Sequence, residues 1–367
     1  MSHSNNQRIL VVGATGKLGR FVAEEVIRLL GSDSLAIGDY KPERGKAFAN
    51  ELGAEVSYHD VDVTEKASLE KAVEGVDAVI VAVQQIDPLV QSVCLARGIP
   101  CLDVTLDPEF IRKARALEPQ PEAAATVSIL MAGLIPGLSG VMVKHVVDTL
   151  QNVSAIDVGL LQSSRGSAGT MGIADMLGVF AQPVRFRNHG EQYLRPGFTV
   201  KREMMFPKPF GNRAQRLINY VEIPTVVEIC KVHDVNYWSG FDGAAFELLV
   251  GFLNKLGFLK LFNLKSTRKR LARMIALAKG GHRAESETIA LTVEVSGHED
   301  GLPRTRCLSL VGPSDYGTTA LSVVAMAKLL LESRVEAAGI RVPMEVFSLD
   351  SLVEAMDCDE VTLHWLT

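Results

Sequence analysis

Short runs of β-branched and apolar residues alternate with longer amphipathic stretches over the first third of the chain. The run at 8–12 is continuously apolar after Arg8, and the stretch at 21–30 places Phe21, Val22, Val26, Leu29 and Leu30 near helical spacing before Gly31. The same alternation predicts strands over 34–38, 55–59, 78–83, 99–103 and 126–131, and helices over 47–52, 68–73, 88–97 and 108–117. Runs such as Ala78-Val-Ile-Val-Ala-Val83 lack a polar side, which marks strands buried on both faces. Strand–helix alternation of this kind predicts an α/β domain with a doubly wound parallel sheet and right-handed crossovers.

Further along, the pattern changes. A strand is expected over 153–161, followed by the Gly/Ser-rich segment 163–172 and a helix over 173–180. Strands are also expected over 224–229 and 288–295, the latter turning at His298-Glu-Asp-Gly301 into a hairpin with 305–311. The apolar segment Met204-Met-Phe-Pro-Lys-Pro-Phe210 reads as an irregular pocket lining or core segment. A helix over 320–332, with Thr318 or Thr319 as N-cap, and a short one from Asp350 complete the expectation. This half reads as a second α/β domain on a mixed, mainly antiparallel sheet. The expected divisions are 1–132, 133–314 and 315–367.

The chemistry-bearing motif stands directly after the first strand. Gly13-Ala14-Thr15-Gly16-Lys17-Leu18-Gly19 is a G-x-x-G-x-x-G loop between a strand and a helix, with an acid, Asp39, twenty residues beyond Gly19. This is the arrangement of a Rossmann dinucleotide site. One glycine allows the turn, one admits the diphosphate to the backbone, one allows close helix–strand packing, and the helix N-terminus faces the phosphates. Asp39 would accept hydrogen bonds from the adenosine ribose, which favours NAD; Lys41 or Arg44 would pair with a 2′-phosphate, which keeps NADP open. Asp62, Val83, Gln84 and Thr105 follow later strands, where strand carboxyl ends form a ligand crevice.

Candidate catalytic groups are sparser. Arg165 could clamp a substrate carboxylate, and Asp103, His189 and Tyr316 are the candidates for proton transfer. Composition narrows the classes. The net charge is −5 and aromatics are 6%, against nucleic-acid binding. Residues 1–130 carry 13 Lys and Arg against 19 Asp and Glu, and the rest 25 against 24, a mild preference for an anionic substrate in the second part. Five scattered cysteines form no CxxC or Cys/His group, so no metal is expected and reduced thiols in a cytoplasmic setting are. The start of the chain lacks the apolar core of a secretion signal. The apolar stretch 241–262 and the basic residues after it could lie on a lipid surface, but read better as a buried or contact helix before a solvated one, and no membrane partner is expected.

Several segments resemble the saccharopine dehydrogenase-like NAD(P)-binding family: Val11-Val-Gly-Ala-Thr-Gly-Lys-Leu-Gly19, Cys101-Leu-Asp-Val-Thr105, Ala132-Gly-Leu-Ile-Pro-Gly-Leu-Ser139 and Ser163-Ser-Arg-Gly-Ser-Ala-Gly-Thr170. The resemblance implies a Rossmann domain, an inserted substrate domain, a chain end that returns to the first domain, and often a homodimer. It also implies NAD(P)-dependent oxidoreduction of an amino-acid-derived imine or secondary amine, with a small amino-acid-like substrate. A non-catalytic dinucleotide sensor and a lipid-linked reductase on the same fold are the alternatives.

Overall fold

The computed structural model describes residues 7–117, 126–163, 170–188, 191–243, 267–268, 270, 272–273, 287–334 and 337–367. The chain forms two compact units, residues 1–141 with 316–358 and residues 142–315 with 359–367.

The first unit opens with β1 (Ile9–Val12), α1 (Lys17–Leu30), β2 (Leu35–Asp39), α2 (Pro42–Leu52), β3 (Ser57–Asp60), α3 (Lys66–Ala72), β4 (Ala78–Val81), α4 (Leu89–Arg97), β5 (Cys101–Asp103), α5 (Pro108–Arg115) and β6 (Val127–Leu130). The strands stand in the order β3-β2-β1-β4-β5-β6, all parallel. All residues of β1, β2, β4, β5 and β6 are buried, as helices on both sides of a parallel sheet require. On one face Leu10, Val12, Ala36, Val79 and Val81 pack with Leu69, Val90, Val93 and Cys94. The sheet reverses its winding between β1 and β4, so the β1 and β4 carboxyl ends open a crevice.

The sequence-predicted strands and helices of this unit are all present, with ends shifted by a few residues. α1 starts at Lys17 and not at Phe21, because the glycine motif runs straight into the helix. The later chain adds α6 (Leu138–Val147), which leaves the unit, and, on returning, α9 (Asp315–Leu331), β15 (Gly339–Arg341), α10 (Pro343–Val346) and α11 (Leu349–Met356). β15 is a seventh parallel strand on β6, where no strand is expected from the pattern. It holds one apolar residue in three, too little for a periodic signal. Thr318 and Thr319 are not N-caps: α9 starts at Asp315, and within it Thr319 Oγ1 accepts from Leu134 N–H.

The second unit contains β7 (Gln151–Gln162), α7 (Thr170–Ala181), β8 (Val184–Asn188), β9 (Glu191–Arg195), β10 (Lys201–Phe206), β11 (Gly211–Ile218), α8 (Ile223–Cys230), β12 (Asp234–Phe241), β13 (Thr288–Glu299), β14 (Leu302–Pro313) and β16 (Thr362–Trp365). Its main sheet has the order β10-β11-β12-β7-β13-β14-β16 and is antiparallel except between β12 and β7. The β13–β14 hairpin turns at Asp300-Gly301, both at positive φ, the geometry of a two-residue mirror-image turn. The sheet curls until β10 meets β7 and β13: a Cβ on Gly159 would lie 2.7 Å from Met204 Sδ. Arg202 of β10 pairs with Asp157 of β7 at 2.8 Å and with Glu294 of β13 at 2.5 Å.

Two expectations fail here. Residues 224–229 are helical, not a strand, as part of α8. Pro224 explains it: proline cannot donate to a strand ladder but fits a first helical turn. The segment 204–210 is not irregular throughout, since 204–206 complete β10 with Met204 and Phe206 in the core.

Candidate functional site

The glycine loop leaves β1 with Gly13 at φ +80°, and its N–H donates to Gly38 O. Gly16 caps α1 in extended geometry with no side chain on the helix amides, and the first turn carries no acid. That leaves an uncompensated positive helix end, a site for anionic oxygen. A Cβ on Gly16 would meet only Gly13 O, at 3.2 Å, on a surface otherwise open; a Cβ on Gly19 would lie 2.2 Å from Gly13 O. Gly16 therefore exposes backbone to a ligand, while Gly19 brings helix and loop together, as the motif requires. The arrangement fits a dinucleotide diphosphate.

Ala14 is buried beneath the loop. Lys17 lies with its Nζ 5.6 Å from the ring centre of Tyr316, which also stacks obliquely on Phe21 at 6.0 Å. Tyr316 thus stands beside the phosphate loop. Leu18 is partly covered within α1.

Asp39 ends β2, almost fully buried. Its Oδ2 accepts from the Thr15 hydroxyl and its Oδ1 from Lys41 N–H, at 2.8 Å. Arg44 donates to both oxygens, each at 2.8 Å. Burial works to raise the Asp39 pKa, but these bonds from Thr15, Arg44 and Lys41 outweigh it and hold the carboxyl below its ordinary value. Lys41 and Arg44 both lie near the exposed Tyr40 ring, at 5.4 and 5.5 Å from its centre. At the end of β3, Asp62 Oδ1 accepts from Thr64 N–H and Thr64 Oγ1, forming a local turn that lowers its pKa.

Val83 and Gln84 lie exposed beyond β4, and a Cβ on Gly13 would reach Val83 Cβ at 2.9 Å. Asp103 sits differently. It is 1% exposed and accepts from Gln85 Nε2 and Gln91 Nε2, both at 2.7 Å, and from Thr105 N–H at 2.8 Å. Burial outweighs these bonds and pushes its pKa up to about 7. Asp103 ties together the loops after β4 and β5 and the α4 residue Gln91. Gln85 and Gln91, which sequence reasoning missed, are its partners; only their closeness to the β4 end could have drawn notice. Thr105 Oγ1 accepts from Asp107 N–H.

Arg165, His189 and nearly all of the 241–262 stretch lie outside the described residues. Among the described residues, no helix is long and apolar enough to cross a membrane, and no group of three His, Cys, Asp or Glu is placed to hold a metal.

Residues 9–129 match the family model of the saccharopine dehydrogenase NADP binding domain. Over 98% of its length the chain is similar in structure to the whole of saccharopine dehydrogenase (L-Glu forming) from Saccharomyces cerevisiae, with TM-score 0.69 and 15% identity. It is similar to the DAP dehydrogenase of C. glutamicum, in complex with DAP, with TM-score 0.51 and 14% identity, over 95% of this chain and 98% of that one. An engineered D-amino acid dehydrogenase bound to NADP+ matches with TM-score 0.50 and 14% identity, over 97% of each chain. No curated protein matches the chain. At these identities the structural likenesses establish the fold.

Proposed function

We propose that the chain, whose residues 9–129 match the family model of the saccharopine dehydrogenase NADP binding domain, is an NAD(P)-dependent oxidoreductase that acts on the C–N bond of an amino-acid-derived imine or secondary amine. The observation that carries the dinucleotide reading is the bare α1 N-terminus at Gly16, open to a ligand and backed by the tightly packed Gly19. The bound nicotinamide would supply or receive the hydride; the protein binds, orients and excludes water.

The chain's own residues divide the work. The Gly13–Gly19 turn and the α1 amides hold the diphosphate, with Lys17 adding a cation and Tyr316 bracing it. Asp39 and its neighbours receive the adenosine ribose. Asp62, Val83, Gln84 and Thr105 border the crevice at the strand ends. Asp103 is a positioning residue, holding the loops that carry Gln85 and Thr105. Arg165 is proposed to hold a substrate carboxylate, and Asp103, His189 and Tyr316 are the candidates for proton transfer. Amino-acid-like compounds are the substrate class, and a cytoplasmic homodimer is the proposed setting.

Titration calorimetry with NAD and NADP tests the first half, and binding of neither would end the proposal. Incubation with the cofactor and a panel of secondary amines and amino acid–keto acid pairs, read by nicotinamide absorbance, tests the second. Tight nucleotide binding with no turnover on any pair would point to a sensor.

A further inference from the structure

We propose that the variable side chain of the substrate is aliphatic and uncharged, and that it lies against an apolar rim of Val83, Ile86 and Leu106 on the loops after β4 and β5. The inference rests on the reading of the chain as an oxidoreductase of amino-acid-derived imines or amines, and it narrows that substrate class. The two loops are neighbours. Val81 of β4 pairs with Asp103 of β5, and Val104 N–H donates to Val81 O at 3.3 Å. Gln85 Nε2 and Thr105 N–H both donate to the Asp103 carboxylate, at 2.7 and 2.8 Å. Lys113 of α5 ties down the first loop through Ile86 O at 3.0 Å and Asp87 Oδ1 at 2.7 Å. Together the loops form one edge of the crevice at the strand carboxyl ends, where an open parallel sheet binds its ligand.

On this edge large apolar side chains face water. Val83 is 39% exposed, Leu106 41% and Ile86 77%. Val83 also stands against the phosphate loop, since a Cβ on Gly13 would lie 2.9 Å from Val83 Cβ. Single exposed apolar residues are ordinary, but three on two adjoining loops of a ligand crevice have the composition of a pocket lining. The charges point the same way. Residues 82–88 and 104–107 hold no Lys, Arg or His, and their acids are Asp87 and Asp107. A carboxylate on the substrate side chain would therefore meet two acids, with Lys113 already committed to Asp87. An ammonium group fares no better, because Asp87 is paired with Lys113 and Asp107 caps α5 by accepting from Glu109 N–H and Phe110 N–H. Either charged group would lose water here without gaining a partner, whereas a methylene chain gains by leaving water. One polar atom is left over. Gln85 is only 9% exposed, and its Oε1 is buried with no hydrogen-bond partner. An unpaired buried acceptor is costly, and an N–H of the bound imine or amine would relieve it. The edge thus offers one acceptor for nitrogen and apolar surface for the carbon chain, and the substrate carboxylate is left to Arg165.

The test is calorimetry on the full chain saturated with its dinucleotide, titrated with α-ketovalerate and α-ketoglutarate. These share a carbon chain and differ in a terminal methyl or carboxylate. α-Ketovalerate should bind about tenfold more tightly, the scale of stranding one charge without a partner. Affinity should also rise about two- to fourfold per methylene from pyruvate through α-ketobutyrate to α-ketovalerate. Ile86→Lys, at an exposed position, should erase the preference, weakening α-ketovalerate and strengthening α-ketoglutarate by about threefold each. Leu106→Ala should weaken α-ketovalerate about threefold and leave α-ketoglutarate unchanged. Both variants should keep the dinucleotide affinity of the wild type. Reduction of each keto acid with ammonium, followed at the nicotinamide band, should give the same order in kcat/KM. A wild type that prefers α-ketoglutarate, or a preference that neither substitution moves, would overturn the proposal. So would an Ile86→Lys protein altered only in its oligomeric state by light scattering, which would assign the rim to a contact between copies. Selective binding of α-ketovalerate with no turnover on any pair would instead uphold the rim and sink the C–N chemistry.

Discussion

Gly16 and Gly19 are interchangeable letters in the motif, yet their surroundings set them to different tasks. Gly16 has extended backbone that any residue adopts, and an added Cβ would meet one atom, Gly13 O at 3.2 Å, which a few tenths of an ångström of loop movement relieves. Gly16→Val should therefore leave the melting temperature nearly unchanged while calorimetry shows dinucleotide affinity falling by about a hundredfold or more, as a branched side chain fills the phosphate position. Gly19→Ala should do the reverse at first order. Its Cβ would lie 2.2 Å from Gly13 O and 2.7 Å from Ala14 Cα, so α1 must move, at about 1–3 kcal/mol in denaturant melts. Asp103 supplies a pH test. Its folded pKa of about 7 exceeds the ordinary 3.8, so the native state binds the proton more tightly than the unfolded chain. The native state then loses stability as pH rises from about 4 to 7, and the loss levels off above the folded value. Asp103→Asn lacks this slope, and its amide can donate to Gln85 or Gln91 Oε1, both buried without a hydrogen-bond partner. Urea melts of the two proteins should diverge across that window, with the Asn variant gaining relative to wild type as pH rises. Parallel curves would show that Asp103 does not titrate there.

Among the elements, those with strong periodicity or distinctive punctuation were legible before any coordinates. The five fully buried strands of the seven-stranded first sheet were visible as short, largely apolar runs. The β13–β14 hairpin was visible in its Asp-Gly turn. α8 was misread because Val226, Val227 and Ile229 favour strands, whereas Pro224 and packing decided for a helix. The curl of the second sheet was not legible at all. Arg202, Asp157 and Glu294 lie far apart in sequence, and only the curl brings them together. Glu294 also accepts from Met205 N–H, and burial raises its pKa despite the Arg202 charge that opposes it. Arg202→Leu should strand two partly buried carboxylates side by side. We expect a loss of about 2 kcal/mol at pH 8, reduced from the fully buried case because Arg202 is partly exposed. The deficit should shrink as pH falls and Glu294, whose pKa burial raises, takes up a proton. A deficit independent of pH would show that packing over Trp238, not charge, is what Arg202 contributes.

At the scale of the whole molecule, the chain end serves both units. Residues 316–358 belong with the first, and β16 adds a seventh strand to the second sheet by pairing with β14. Ending the chain after Cys358 should leave dinucleotide affinity intact and expose the edge of β14, lowering the melting temperature and promoting association seen by light scattering. Unchanged melting would show that β16 contributes nothing to the sheet. The sequence by itself determined the parallel α/β unit and its phosphate loop, because periodicity, turn glycines and a helix N-terminus are local properties of consecutive residues. Tertiary structure decided what Asp39 and Asp103 became: an acid filled by Arg44 and Thr15, and an acid sealed under Gln85 and Gln91. The availability of a carboxylate depends on which donors the fold brings to its lone pairs and how much water it removes, and neither is written in the residues beside it.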